Sequence, residues 1–61
     1  MIIYTVVEAA RILKLKPLTV AEYIREGKLK GFKIGKEWRL EESDLKEFIE
    51  TKRAERGYDD I

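Results

Sequence analysis

The segment that most constrains this chain is residues 27–40, which begins with a glycine and continues with alternating apolar and cationic residues. Glycine is the preferred residue just past the end of a helix, because it adopts a left-handed backbone conformation without steric strain. Alternation with a period of two is the pattern of a strand with one apolar face. The segment therefore predicts that a helix ends at Gly27 and that a small hairpin follows it.

The apolar residues of this segment predict the register of the hairpin. Phe32 and Ile34 share one face of the first strand, and Trp38 and Leu40 share one face of the second. The two sets meet on the same side of the ribbon only if Ile34 lies opposite Trp38. Phe32 then lies opposite Leu40, and we expect residues 35–37 to form a three-residue loop.

This register places cations on the outer face of the hairpin. Lys33 and Arg39 then lie opposite each other, with Lys36 at the tip. Like charges in a cross-strand pair destabilise it, which favours phosphate contact as the role of these cations; a charged edge that discourages aggregation is the alternative. A two-residue turn at Gly35 and Lys36 would instead pair Trp38 with Lys33 and scatter the apolar face.

Two helices are predicted ahead of the hairpin. Thr5 and Glu8 fit the capping-box pattern, in which a hydroxyl and a carboxylate bond the free amides of the first turn. Apolar residues then recur at helical spacing and predict helix 1 over about residues 6–14. Pro17 suits the first turn of helix 2, where its missing amide donor is not needed. Helix 2 ends at Gly27, and a turn of about three to four residues joins the helices, as in a helix-turn-helix.

A third helix is predicted over about residues 42–53 from the helical spacing of its apolar residues. Residues 1–4 are an apolar lead-in, and residues 54–61 form a polar tail, so the domain spans residues 1–53. The predicted fold class is α+β: a small winged helix-turn-helix of three helices, with a two-stranded antiparallel hairpin between helix 2 and helix 3. The expected core residues are Val6, Ala9, Ala10, Leu13, Leu15, Val20, Tyr23, Ile24, Phe32, Ile34, Trp38, Leu40, Leu45, Phe48 and Ile49.

The missing residue types exclude most site chemistry. The 61 residues include no cysteine and no histidine, so disulfides, the usual zinc sites and Cys–His or Ser–His nucleophilic pairs are excluded. We therefore expect no enzyme activity, no metal, no cofactor and no small-molecule substrate. A chain without a long apolar run or a signal peptide is expected to be soluble and cytoplasmic, with no membrane partner.

The formal net charge of +1 conceals two oppositely charged elements. Five cations stand against one carboxylate in residues 28–39, a local net charge of +4. One lysine stands against five carboxylates in residues 41–50, a local net charge of −4. A domain with a basic and an acidic element has a preferred orientation toward a polyanion. The alternative is that the charges only keep a small domain in solution.

Helix 2 carries the other candidate binding residues. In a helix-turn-helix the exposed N-terminal half of the second helix enters the major groove of DNA. Lys16 is a poor N-cap, and a phosphate bound there would offset its unfavourable charge at the helix start; an ordinary surface lysine is the alternative. Leu18 or Ala21 would meet a thymine methyl, Thr19 or Arg25 a phosphate or a base edge, and Glu22 a cytosine amino group or only solvent.

Several motifs in this order are similar to those of a known family. They are Tyr4-Thr5-Val6-Val7-Glu8-Ala9-Ala10, Leu13, Leu15, Thr19-Val20, Ile24-Arg25-Glu26-Gly27-Lys28-Leu29, Ile34-Gly35, Trp38-Arg39-Leu40, Asp44-Leu45 and Phe48. Over about residues 4–50 this set resembles the excisionase-type, MerR-like winged helix-turn-helix DNA-binding domain.

The resemblance implies that helix 2 reads the major groove and that the hairpin, as a wing, lies along the backbone or in the minor groove. The DNA-binding residues it implies are Lys16, Pro17, Leu18, Thr19, Ala21, Glu22 and Arg25 of helix 2, and Lys33, Lys36 and Arg39 of the wing. The chain departs from the family pattern at the helix-turn-helix turn, where Lys14 and Lys16 stand in place of the frequent Gly and Ser.

The predicted function is DNA binding, by an excisionase-like architectural factor or a small transcriptional regulator. The protein is expected to be associated with the nucleoid in the cytoplasm. Double-stranded DNA is the expected partner, with self-association on DNA or a recombinase or regulatory protein as a further one. Two alternatives stay open: a protein-interaction module on a winged-helix scaffold, and the N-terminal module of a longer recombinase or regulator.

Overall fold

The computed structural model describes residues 1–56 of the chain. The elements in chain order are β1 Ile3–Thr5, α1 Val6–Leu13, α2 Pro17–Arg25, β2 Phe32–Ile34, β3 Glu37–Glu41 and α3 Glu42–Arg56. The predicted α+β class, with a hairpin between the second and third helices, is confirmed. α3 continues to Arg56 and does not end near residue 53; the division into a domain and a tail stays a prediction, and residues 57–61 lie outside the described residues.

The start of α1 and the turn after it follow from local hydrogen bonds. The Glu8 backbone N–H donates to Thr5 Oγ1 at 3.1 Å, and the Thr5 backbone N–H donates to Glu8 Oε1 at 2.9 Å, so the predicted capping box is confirmed. After α1 the backbone of Lys14 is left-handed, with a φ of 61°. The Leu15 N–H then donates to the Ala10 carbonyl at 2.9 Å, the bond of a Schellman motif. Leu15 consequently packs against the core.

The sheet contains three strands in the order β1–β3–β2, because β1 adds to the predicted hairpin as a third strand. β3 is central and antiparallel to both neighbours. Tyr4 of β1 lies opposite Leu40 of β3, and Leu40 is fully buried. The face that carries Leu40 is therefore the inner face of the sheet. The sequence analysis did not predict this strand, because three residues are too few for a periodic pattern.

The hairpin register differs from the predicted one. The observed pairs are Phe32 with Arg39, Lys33 with Trp38 and Ile34 with Glu37. The loop is thus the two-residue turn at Gly35 and Lys36, and the predicted three-residue loop is wrong. Of the two turn residues only Gly35 has a positive φ, of 64°. This is the pattern of a type II′ turn, which takes glycine at its first central position and suits the twist of the strands.

The new register moves side chains to the other face of β2. Lys33 and Arg39 lie on opposite faces, so the prediction that they oppose each other across the hairpin is wrong. Ile34 is 53% exposed, so its predicted place in the core is also wrong, and Phe32 is half-buried on the outer face. The local turn geometry prevails over apolar alternation because β2 has only three residues. One exposed isoleucine is a small loss beside a well-formed turn.

The core lies between α1, α2, the inner face of the sheet and α3. One buried side chain was not predicted: Leu29, in the connection between α2 and β2, is only 2% exposed. It stands between two lysines ahead of the predicted first strand of the hairpin, so it was assigned to neither a helix face nor a strand face. The buried residues that were predicted are Ala9, Ala10, Val20, Ile24, Leu40, Leu45 and Phe48, with Val6, Leu13, Leu15, Tyr23, Trp38 and Ile49 partly buried against them.

Candidate nucleic-acid interface

The N-terminus of α2 is built from a residue that does not cap it. Lys16 has the extended backbone of an N-cap, with φ −76° and ψ 144°, but its side chain makes no capping hydrogen bond. Pro17 at the first helical position removes one of the free donors. The remaining amides of the first turn have no side-chain partner at the N-cap, and the Lys16 side chain is exposed beside them. This arrangement suits an anion.

The outer residues of α2 differ in how far they reach solvent. Leu18 is 69% exposed, which is unusual for a leucine in the first turn of a helix whose inner face is well packed. Arg25 is exposed in the last turn. The predicted contact residues Thr19, Ala21 and Glu22 are each half-buried. The structure therefore presents the two ends of this face more openly than its middle.

Two of the three predicted wing cations lie on the hairpin and pair with no carboxylate of residues 1–56. Lys33 is the cross-strand neighbour of Trp38, and its Nζ lies 4.9 Å from the centroid of the indole ring. A lysine in this position covers an aromatic face with its aliphatic stem while its ammonium group stays in solvent. Lys36 is exposed at the tip of the hairpin. These two lysines extend from the same end of the ribbon.

The third predicted wing cation, Arg39, is engaged within the protein. Its Nη1 lies 3.1 Å from Glu37 Oε1 and donates to the Trp38 carbonyl at 3.1 Å. The side chain is 24% exposed, against 74% for that of Glu37. Arg39 lies on the outer face of the sheet, between Thr5 of β1 and Phe32 of β2. The hairpin therefore carries two open cations and one that is held in an ion pair.

The position of the hairpin relative to α2 depends on a close backbone approach. A Cβ atom added at Gly31 would lie 3.0 Å from the Arg39 carbonyl oxygen and 3.0 Å from Ile24 Cγ2. Contacts this short are tighter than most real Cβ contacts, so any other residue would require Ile24 or the β3 backbone to shift by a few tenths of an ångström. Gly31 thereby helps to hold the wing against the second helix.

Ion pairing divides the cations of the described chain into two groups. The first group pairs with carboxylates within residues 1–55: Lys28 with Glu26, Lys30 with Glu47, Arg39 with Glu37 and Lys52 with Glu55. The second group lies in the turn, on α2 and on the hairpin, and pairs with no carboxylate of residues 1–56: Lys14, Lys16, Arg25, Lys33 and Lys36. Arg11 on α1 and Lys46 and Arg53 on α3 also form no such pair, but they lie outside the turn, α2 and the hairpin and are not counted in this group. We call the second group the open cations.

A shallow groove of about 330 Å³ separates the connection after α2 from α3. Leu29 and Phe48 contribute to its apolar lining, and its charged side chains carry both signs. Two ion pairs, Lys30–Glu47 and Lys52–Glu55, involve lining residues. The groove therefore has no net preference for an anion, in contrast to the turn and the wing.

Other types of site have no residues to support them in the described part of the chain. Residues 1–56 contain no group of three or more side chains able to hold a metal ion. No helix among them is long and apolar enough to cross a bilayer.

The sequence analysis missed three features of this surface. The Glu37–Arg39 pair and the Lys33–Trp38 contact both depend on the hairpin register, so the wrong register concealed them. The signal for the correct register was the early position of Gly35, since glycine at the first position of a two-residue loop marks a type II′ turn. The signal for the left-handed backbone of Lys14 was the glycine that is frequent at this position in the family it resembles, since glycine adopts this conformation without strain.

Comparison with known proteins agrees with the observed fold. Residues 3–53 match a family model described as a helix-turn-helix domain. Over 45 residues, or 74% of the chain, the sequence is 40% identical to the uncharacterized protein YvgK of Bacillus subtilis (strain 168). The matched part spans only 15% of the length of that protein. No solved structure gives a significant match.

Proposed function

The chain belongs to the helix-turn-helix domain family, and we propose that it acts as an excisionase-like architectural factor or a small transcriptional regulator. Membership of the family implies that the chain binds DNA. In the proposed complex α2 enters the major groove, and the hairpin follows the backbone or enters the minor groove.

The distribution of the open cations is the observation that best supports this proposal. Lys16 lies at the start of α2 and Arg25 in its last turn, whereas Lys33 and Lys36 lie on the hairpin. An ammonium group without a carboxylate partner binds a phosphate without first breaking an ion pair. Each such contact releases counterions from DNA, which is the main source of affinity in this class of complex.

Within α2 the proposal assigns base and backbone roles according to exposure. Leu18, which is 69% exposed, meets a thymine methyl, and Arg25 reaches a phosphate or a base edge. Pro17 sets the first turn, so that the amides around Thr19 face a phosphate. The half-buried positions Ala21 and Glu22 lie deeper, where the small side chain admits the groove wall and the carboxylate accepts from a cytosine amino group.

Arg39 has a conditional role in the proposal. Its guanidinium is held by Glu37 at 3.1 Å, so a phosphate must displace that carboxylate before Arg39 contributes. The four contacts counted for the unliganded surface are therefore those of Lys16, Arg25, Lys33 and Lys36. Four phosphate contacts predict that log K falls with log salt with a slope of about −3.6.

Tryptophan fluorescence provides an intrinsic signal for the salt titration. Trp38 is the single tryptophan of the chain, and Lys33 lies over its ring. Binding of a phosphate to Lys33 changes the surroundings of the indole, so we expect the tryptophan emission to change on addition of duplex DNA. Titrations of random-sequence duplex at several salt concentrations then give the affinity and the slope.

Charge reversal tests where the DNA binds. The double variant Lys33→Glu and Lys36→Glu removes two phosphate contacts and adds repulsion, so affinity at 0.1 M salt should fall at least about 50-fold. Substitution of Lys33 itself changes the surroundings of Trp38 and so its emission. The loss of affinity is therefore measured by the anisotropy of labelled DNA. Lys46→Glu is the matched control, since Lys46 is exposed on α3 and pairs with no carboxylate of residues 1–56. Equal losses in the variant and the control would contradict the proposed wing contact.

A second candidate function is that of a DNA-binding module within a longer regulator or recombinase. The observation that favours it is that the similar protein of Bacillus subtilis contains the shared segment within a much longer chain. In this case α2 and the wing bind DNA in the same way, and the attached part supplies the regulation. A protein-interaction role differs in its test, because a partner bound through α2 or α3 would survive reversal of the two wing lysines.

Few phosphate contacts per domain also suggest self-association on DNA. A slope near −3.6 implies only moderate affinity at physiological salt. We therefore propose that copies of the chain bind adjacent sites cooperatively. A Hill coefficient above 1 on a duplex several sites long, with simple binding on a duplex one site long, is the expected result.

A further inference from the structure

We propose that Lys14 is a further phosphate-binding residue, so that the turn between α1 and α2 holds the DNA backbone with two lysines, Lys14 and Lys16. The inference rests on the DNA-binding function proposed above. It adds a residue to the contact set that neither the sequence pattern nor the resemblance assigned.

The backbone at Lys14 shows that folding alone does not favour a lysine there. Its φ and ψ of 61° and 37° are left-handed, and it is the one non-glycine residue among residues 1–56 with a positive φ. The Schellman bond from Leu15 to Ala10 requires this conformation. Glycine adopts it freely, whereas a side chain with a Cβ atom is strained in it. Lysine is therefore a poor residue for making this turn.

The side chain of Lys14 has no role within the described protein that would compensate for this strain. It is exposed, and it forms no ion pair with any carboxylate of residues 1–56. Leu15 packs against the core, while its two neighbours Lys14 and Lys16 are exposed on the solvent side of the turn. Lys14 and Lys16 are therefore two exposed, open cations that flank a core-packed leucine just before the start of α2.

A favourable interaction with the C-terminal dipole of α1 is the competing explanation for a lysine at this position. Arg11 already places a cation in the last turn of α1. The two explanations differ in what removal of the charge changes. Loss of a dipole interaction lowers the stability of the fold, whereas loss of a phosphate contact weakens DNA binding and makes it less dependent on salt.

The test is a pair of substitutions that remove the charge but tolerate the left-handed backbone. Lys14→Gly and Lys14→Asn should leave the melting temperature unchanged or raise it by up to about 5 °C, because both residues adopt positive φ more readily than lysine. Both should make the salt slope shallower by about 0.9 and lower affinity for random duplex at 0.1 M salt on the order of fivefold. Lys14→Arg keeps the charge and should keep the wild-type slope.

Lys46→Asn is the matched control, because it removes an exposed lysine from α3 and should leave the slope unchanged. If Lys14→Gly and Lys14→Asn bind with the wild-type slope while wild type itself shows salt-dependent binding, the inference fails and the proposed function stands. A lower melting temperature without a change of slope assigns Lys14 to the helix dipole and also overturns the inference. Absence of salt-dependent binding by wild type overturns the proposed function and the inference together.

Discussion

Three lysines close to α3 and the lysines of the turn and wing differ in whether they form ion pairs. Lys28, Lys30 and Lys52 each lie within 3.4 Å of a carboxylate oxygen. The open lysines at the turn and on the hairpin have no such partner among residues 1–56. Exposed ion pairs stabilise a fold by about 0–1 kcal/mol, so the pairs near α3 act mainly by neutralising charge. Under the proposed function, ion pairing as well as the number of cations determines which surface is available to a polyanion.

The same division explains how a chain with a net charge of only +1 presents a basic surface. Carboxylates pair with Lys28, Lys30 and Lys52 near α3, whereas the lysines of the turn and the hairpin have no such partner among residues 1–56. The acidic residues of α3 also repel DNA from that side, which favours one orientation of approach. The ion pairs therefore show which cations of residues 1–56 lack a carboxylate partner, and the net charge alone does not show this.

The largest expected effect concerns two leucines, one of which is needed for the fold while the other is expected to contribute only to DNA binding. Leu29, between the paired Lys28 and Lys30, is 2% exposed, whereas Leu18 beside the turn is 69% exposed. Leu29→Ala should lower the free energy of unfolding by about 2–5 kcal/mol, because it leaves a cavity in the core. Leu18→Ala should change it by at most about 0.5 kcal/mol but should weaken DNA binding.

Urea unfolding followed by circular dichroism measures the first quantity, and DNA titration of the folded Leu18→Ala variant measures the second. A domain of 61 residues has only a few kcal/mol of stability, so Leu29→Ala should be largely unfolded. Similar stabilities for the two variants would show that the connection after α2 is not part of the core.

The helical half of the fold was predictable because its signals are local and independent. The capping box, Pro17 and Gly27 each mark a helix end, and the spacing of apolar residues gives the buried faces. The hairpin was predicted at the correct place with the wrong register. Apolar alternation and turn geometry conflict there, and in a three-residue strand such as β2 the turn geometry determines the register. Leu29 was missed because it precedes the predicted strand of the hairpin, and β1 was missed because three residues are too few for a periodic pattern.

The sequence predicted which residues lie at the candidate site better than it predicted which of them form ion pairs. Lys16 precedes α2 and Lys36 lies in the hairpin turn as expected, whereas Lys33 lies opposite Trp38 and not on the predicted outer face. The contacts of all three with DNA remain predictions. The engagement of Arg39 by Glu37 was not foreseeable, because the predicted register placed the arginine against Lys33. Ion pairing depends on rotamers and neighbours across strands, and a sequence pattern does not contain these.

The second prediction concerns a substitution that would change Arg39 from a paired cation into an open one. Glu37→Gln removes the carboxylate that holds Arg39 and leaves the guanidinium without its ion pair on the outer face of the hairpin. DNA affinity at 0.1 M salt should rise on the order of fivefold, and the salt slope should steepen by about 0.9, as for one added phosphate contact. Anisotropy of labelled duplex at several salt concentrations measures both quantities.

Glu50→Gln is the control for the loss of one negative charge. Glu50 is exposed on α3 and holds no cation of residues 1–55, so its substitution should leave the slope unchanged. If Glu37→Gln and Glu50→Gln behave alike, release of Arg39 is not the cause, and the comparison between paired and open cations loses one of its supports.

The smallest effect is expected where a paired lysine is removed. Lys30 Nζ lies 3.2 Å from Glu47 Oε1, with side chains that are 72% and 59% exposed. Lys30→Gln should change the free energy of unfolding by at most about 0.5 kcal/mol, since solvent screens an exposed pair. DNA affinity should change by less than about twofold, because a cation neutralised by its neighbour releases few counterions. A double-mutant cycle with Glu47→Gln measures the coupling directly, and a loss of DNA affinity as large as that of Lys14→Asn would show that paired lysines also bind phosphate.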